Sequence, residues 1–282
     1  MKLLLIFFLF ITTASFAQDR SYVIYTSSGK KTTFTKMVKA LIEKDVILFG
    51  ELHDNPIAHW LELELTMAMD KKNDLTLGAE MLEADNQQEV NDYLAGTIDA
   101  KALDTTARLW MNHDTDYAPL LDYAKENEIP FIATNIPRRY ASLVYKNGGF
   151  PALDTLTEEE KAWIAPLPIE FDPNLPQYKN ILEMMGEHGS PDLVRAQAIK
   201  DATMAHFILA NFVAGGQFIH YNGAFHSNFY EGILWYLMRA RPDLNYGTIS
   251  TVTQADINSL DKENKGMADF IIVVDEDMTS TY

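Results

Sequence analysis

Two hydrophobic rhythms run through the chain, one of short compact apolar runs and one with the three-to-four spacing of helices. "YVIYTSSGKKTTF" reads as two β-rich runs around a Ser-Ser-Gly-Lys turn, a short hairpin. "TKMVKALIEK" follows as a helix, and "DVILFG" (45–50) is an apolar run long enough for a buried strand and too short for a helix. Asn55 and Pro56 then supply an N-cap and a first helical residue for a helix running to about Asp70. "DLTLGAEM" is the next strand, so 45–81 forms a β-α-β unit, a connection that joins parallel strands through a right-handed crossover.

Helices are expected at 86–95, 100–110 and 116–127, then a third strand in "IPFIATN" (129–135). The stretch 137–214 reads as helical, broken by the proline-rich "APLPIEFDPNLPQY". Within it, Thr157 and Glu160 stand at capping-box spacing, and the long helix from Pro191 stops before Gly215-Gly216. "QFIHYNG" (217–223) is a fourth strand, "NFYEGILWYLMRA" a helix, and "DFIIVVDE" (269–276) a last strand. Alternating strands and helices predict an α/β domain layered around a mostly parallel β-sheet, with the helical excursion at about 137–214 forming a cap-like insertion.

The first residues change the picture of where such a domain resides. "MKLLLIFFLFITTASFA" has a basic Lys2, an apolar run and the small-x-small pattern Ser15-Phe16-Ala17, the layout of a signal peptide cleaved near Ala17. That run is shorter than the roughly 20 residues that span a bilayer, and no later segment is long enough, so no transmembrane segment is expected in the mature chain. An exported protein, periplasmic or secreted, is the expectation, with residues 18–282 as one domain. The chain has no cysteine, so its core alone must hold it, and thiolate ligation of a metal or haem is excluded. A net charge of −17, from 40 acidic against 23 basic residues, makes nucleic acid and anionic membranes poor partners.

Chemistry concentrates where strands end. Glu51 and His53 follow the first sheet strand, Glu80 lies in the second, Asn135 and Arg138 follow the third, and Asn222 and His226 follow the fourth. In a parallel sheet these carboxyl ends share one edge, where ligands of open α/β sheets bind. Glu80, inside "GAEM", needs a partner if buried, and Arg138 is the nearest cation by this topology, so an ion pair and a ligand contact are both open. Gln197 and Asp201 are four apart on one helix face, although Arg195 and Lys200 beside them also fit a solvated stripe. His59 sits on the first helical turn, whose positive dipole end suits ligand carboxylates. His113, His188 and His206 read as surface or core histidines. HExxH, GxSxG, Walker and GxGxxG signatures are absent.

The blocks "ILFGELHDNPIAHW", "LGAEMLEADNQ", "YAPLLDYAKENEIPFIATNIPRR", "RAQAIKDATMA" and "YNGAFHSNFYEGI" come in the order seen in the ChaN-like haem-binding uptake family of the Tiki superfamily, which the chain resembles over about 40–250. The resemblance implies a large parallel sheet flanked by two groups of α-helices, and a role in haem iron uptake. It also implies haem at a homodimer interface, with a tyrosine on iron and histidine near the propionates. The matching positions for haem binding are Glu51, His53, His59, Glu80, Arg138 and His226, with Gln197 and Asp201; the iron-ligating tyrosine falls in none of these blocks. The chain departs from lipid-anchored members in lacking a lipobox cysteine. Metal-dependent peptidases of the same superfamily, and similar esterases, keep a second reading open. In that reading the protein is a hydrolase holding a divalent metal ion through His53 and His226, with Glu51 as general base, Arg138 as anion stabiliser and Glu80 in the catalytic set.

Overall fold

The computed structural model describes residues 20–282, and the segment expected to be a signal peptide lies outside them. Eight strands form one sheet in the order β2-β1-β8-β7-β3-β6-β4-β5. β1 (Tyr22–Thr26) and β2 (Lys31–Thr32) make the expected hairpin, and β1 pairs antiparallel with β8 (Phe270–Asp275). The six strands from β8 to β5 are mutually parallel, namely β8, β7 (Tyr246–Gln254), β3 (Val46–Glu51), β6 (Gln217–Gly223), β4 (Leu75–Glu83) and β5 (Phe131–Asn135). β3 and β4 belong to the β-α-β unit expected from the sequence, but β6 lies between them.

A central parallel strand buries both faces, which is why β3 reads as a continuous apolar run. Ile47 and Phe49 of β3 and Ile219 and Tyr221 of β6 face a core closed by α1 (Phe34–Leu41), α2 (Pro56–Asp70), α3 (Gln87–Leu94), α4 (Ala100–Thr106) and α5 (Ala118–Glu126). Val46, Leu48 and Phe218 point the other way, onto Met204 and Ile208 of α9 (Pro191–Asn211) and Ile233 and Leu237 of α10 (Ile233–Ala240). The fold is therefore α/β, with helices in two groups on either side of a mostly parallel sheet. Among the described residues, no helix is long and apolar enough to cross a membrane.

The 137–214 excursion divides in two. Its α6 (Arg138–Lys146) packs beside α9 over a small core of Ile136, Tyr140, Val144, Leu153 and Ile199, next to α7 (Glu158–Lys161). Its α8 (Pro176–Met185) rests on α9 through Tyr178, Val194 and Ala198, and sends Ile181, Met184 and Met185 over the sheet's carboxyl edge. The capping box at Thr157 and Glu160 forms as read.

Two local expectations are corrected. No strand is expected where β7 lies, because "YGTISTVTQ" interleaves hydroxyl side chains that find partners only across the fold: Ser250 donates to Asn228, and the Asp269 N–H donates to Thr248. The helix expected from Asn228 begins only at Ile233. Phe229 and Tyr230 hold left-handed φ values of 57° and 64°, which end any helix before it starts.

Candidate functional site

Each site residue is delivered by a local device. Asn55 caps α2, accepting from the N–H groups of Ile57 and Ala58 at 3.1 and 3.0 Å, with Pro56 at the first helical position. The cap fixes His59 one turn into α2, close behind the end of β3. The register between β4 and β5 shifts between Ala79 and Glu83, and this irregularity lets Glu80 turn to the crevice. Asn135 ties the turn down by donating to the Glu80 carbonyl at 2.9 Å. Where β6 ends, Gly223 lies so close to His53 that a Cβ there would stand 2.7 Å from its Nε2.

A pocket of about 710 Å³ opens at this edge. Glu51, His53, Glu80, Asn135, Arg138, Gln197, Lys200 and His226 line its polar side, and Trp110, Ile136, Ile181, Met184, Met185, Phe225 and Tyr282 its apolar side. Glu51, His53, Glu80, Arg138, Gln197 and His226 thus meet in one place. Asp201, fully buried, touches the pocket only through His226, and His59 lies beneath its floor behind Glu51.

Two hydrogen-bonded chains organise the polar side. In one, Tyr178 donates to Asp201 at 2.9 Å, Asp201 meets His226 Nδ1, and His226 Nε2 lies 3.1 Å from Glu80 Oε1. Glu80 Oε2 in turn accepts the Gly223 N–H at 2.8 Å. Burial pulls the His226 imidazole down, but the carboxylates of Glu80 and Asp201 outweigh it and raise it to about 9. For Glu80 burial also opposes the outcome, and His226 holds the carboxyl well below its usual range. In the other chain, His53 Nδ1 lies 2.7 Å from Glu51 Oε1, which also accepts from Tyr117 at 3.0 Å, and His59 Nδ1 is 2.9 Å from Glu51 Oε2. Burial would lift Glu51, yet the hydrogen bond from His53 and the charges of the His59 and His53 imidazoles keep it low. His59 rises to about 11, since Glu51 and Glu62 overcome the burial that disfavours its charge.

These contacts revise one expectation. Glu80 pairs with His226, not Arg138; Arg138 is exposed at the pocket's edge and makes no ion pair among the described residues. His226 directs both ring nitrogens at carboxylates, Nε2 at Glu80 and Nδ1 at Asp201. Among the described residues, the group with metal-ligand spacing is Glu51, His59 and Glu62, which does not contain the His53–His226 pair.

Several residues of the site carry little or no local signal in the sequence. Glu62 carried one usable signal, its i+3 spacing from His59 on a capped helix. Tyr117 and Tyr178 carried none, because 66 and 23 residues separate them from the carboxylates they meet. His220 is buried, with Nδ1 3.1 Å from Asn222 Oδ1 and Nε2 2.7 Å from the Thr134 hydroxyl, and burial lowers it to about 4.

An open parallel α/β sheet with an acidic, histidine-bearing crevice at its carboxyl edge defines the class. Residues 37–237 match the family described as haem-binding uptake, Tiki superfamily, ChaN, and the chain belongs to that family. In three dimensions the chain is similar to ChaN of Campylobacter jejuni, described as binding haem cofacially. That match has a TM-score of 0.68 at 18% identity and covers 91% of this chain and 98% of that one. A Bacillus cereus protein (TM-score 0.53, 10% identity, 89% and 93% covered) and a succinoglycan biosynthesis protein (0.53, 11%, 88% and 94%) share the fold. Protein RETICULATA-RELATED 5, chloroplastic, of Arabidopsis thaliana is 25% identical over 205 residues, 66% of this chain; the chain spans 27% of that relative's length.

Proposed function

We propose that the protein is an exported haem-binding protein serving haem iron uptake, and that haem binds in the pocket at the carboxyl edge of the sheet. The observation that carries this reading is the two-sided pocket in a chain of this family. An apolar wall suits a flat macrocycle, and pockets of a few hundred to a thousand Å³ are typical of cofactor sites. Arg138 and Lys200 supply the cations that propionates require, as charge-assisted partners. Tyr282 is the tyrosine among the lining residues, while Tyr117 and Tyr178 are buried and committed to Glu51 and Asp201. Tyr282 is therefore the residue for the iron, and bound haem would supply a Lewis-acidic iron to its phenol oxygen. Met184, Met185 and Phe225 stand 64%, 45% and 41% exposed at the rim, an apolar margin suited to a second copy meeting the haem face. Export rests on the signal-like N-terminus.

Haemin titration of the purified mature chain tests the reading. A shifted Soret band saturating at fixed stoichiometry is expected, altered in position by Tyr282→Phe and weakened by Arg138→Ala. No spectral change on titration would overturn haem binding, and an unchanged band in Tyr282→Phe would remove that residue from the iron.

One observation supports hydrolysis as a second reading. His53 opens to the pocket while Glu51 and Tyr117 orient it from behind, and the His226 imidazolium stands across from it as a charge-stabilising group. Turnover of ester or peptide substrates that is abolished by Glu51→Gln would favour it.

A further inference from the structure

Beneath the pocket floor lies a second polar centre, built by β3 and the first turns of α2. Its members are Glu51, His59 and Glu62, all buried. One ligand atom from each lies within 4.8 Å of the others. We propose that this centre binds a divalent transition-metal ion of the zinc or manganese class, held by the Glu51 carboxylate, His59 Nδ1 and the Glu62 carboxylate.

Three observations converge on that assignment. The first is the orientation of His59. Its Nε2 stands 3.1 Å from the backbone carbonyl of His53, an atom that can only accept, so the proton belongs on Nε2. In the neutral ring Nδ1 is then a bare lone pair, aimed at Glu51 Oε2 (2.9 Å) and Glu62 Oε2 (3.4 Å), which are themselves acceptors. A carbonyl behind the ligating imidazole is the arrangement that orients metal-bound histidines. Asn112 also donates to that carbonyl, at 2.9 Å, which holds it in place.

The second observation is the pair of unpartnered oxygens. Glu62 Oε1 is buried with no hydrogen-bond partner. Glu51 Oε2 comes within 2.9 Å of His59 Nδ1 and is also without a hydrogen-bond partner. Such orphans are costly in a protein interior, and a cation between the two carboxylates would satisfy both.

The third is charge. Among the described residues, no lysine or arginine pairs with Glu51, Glu62 or the neighbouring Asp116, whose Oδ2 is 3.6 Å from His59 Nε2. Two carboxylates around a divalent ion make a neutral centre with a neutral His59. One imidazole nitrogen with carboxylate oxygens is a donor set that zinc and manganese accept. Glu51 would then bridge the ion to His53 and the pocket.

The competing arrangement is a proton in the ion's place, with His59 as an imidazolium and Glu62 as the acid. The two are separated by metal analysis of the full mature chain, purified without chelator and then re-equilibrated with Zn²⁺ or Mn²⁺. One ion per chain, a higher Tm with metal, and binding weakened by roughly tenfold or more in Glu62→Gln but kept in His53→Ala are expected. Glu62→Gln imitates the protonated acid, so a variant at least as stable as wild type, together with metal far below one per chain in wild type, would overturn the proposal. Because Glu62→Gln can perturb folding, ¹⁵N NMR of wild type provides an independent readout. Zn²⁺ should move the His59 Nδ1 resonance while Nε2 keeps its proton, and an unmoved Nδ1 would refute the site. Haemin titration of Glu62→Gln keeps this result distinct from haem binding, since Glu62 does not line the pocket.

Discussion

Gly223→Ala probes how tightly the crevice is assembled. Gly223 has φ −55° and ψ 137°, ordinary values for any residue, so an alanine meets no backbone strain. Its Cβ would stand 2.7 Å from His53 Nε2 and 2.8 Å from Cε1, against the roughly 3.5–4 Å of a normal non-bonded contact. The His53 side chain is 35% exposed and can swing outward, but doing so breaks its 2.7 Å hydrogen bond to Glu51. A hydrogen bond to a charged group contributes about 1.5–3 kcal/mol, less when partly solvated. Replacing glycine stiffens the unfolded chain and returns about 0.4–1 kcal/mol. The net expectation is a loss of about 1 kcal/mol, a fall in Tm of roughly 2–4 °C for a chain of this size. The assay is a double-mutant cycle with His53→Ala by urea and thermal unfolding. In the His53→Ala background the clash has no target, so Gly223→Ala should become neutral or slightly stabilising. The same cost in both backgrounds would refute the argument.

Other outcomes follow from the same geometry. Gly50→Ala should cost about 1–3 kcal/mol in urea unfolding, since its Cβ would sit 3.0 Å from two backbone atoms, Ala224 Cα and Ile249 O, which cannot rotate away. Asn55→Ala removes the acceptor for two N–H groups of α2 and should cost about 1 kcal/mol, measured the same way. His220, buried and lowered to about 4, binds its proton in the unfolded chain first. Its neutral form therefore contributes stability that is complete above about 6.5 and is lost as pH falls toward 4, about 3 kcal/mol in all. His220→Gln should flatten the decline of stability across that window, and parallel curves would refute the assignment.

Much of this molecule was legible from periodicity. The unbroken run Val46–Phe49 marks a strand buried on both faces, and Asn55-Pro56 marks the start of α2. Strands separated by helices imply a parallel sheet, and a parallel sheet collects its carboxyl ends on one edge. Glu51, His53, Glu80, Arg138 and His226 could therefore be brought together from order alone, as could the shared face of Gln197 and Asp201, both of which reach His226. Partnership was not legible. Glu80 has 57 residues of chain between it and Arg138 and far more between it and His226, yet His226 is the one that arrives within hydrogen-bonding distance. Nothing local distinguishes Tyr117 from twelve other tyrosines, or a half-polar β7 from a loop. Local pattern reports whether a residue is buried, because burial repeats with the period of its own helix or strand. Which buried group meets which depends on strand order, on the register shift before Glu83 and on the depth of α2 against β3. Those are properties of packed elements, and they alone put Glu62 beside Glu51.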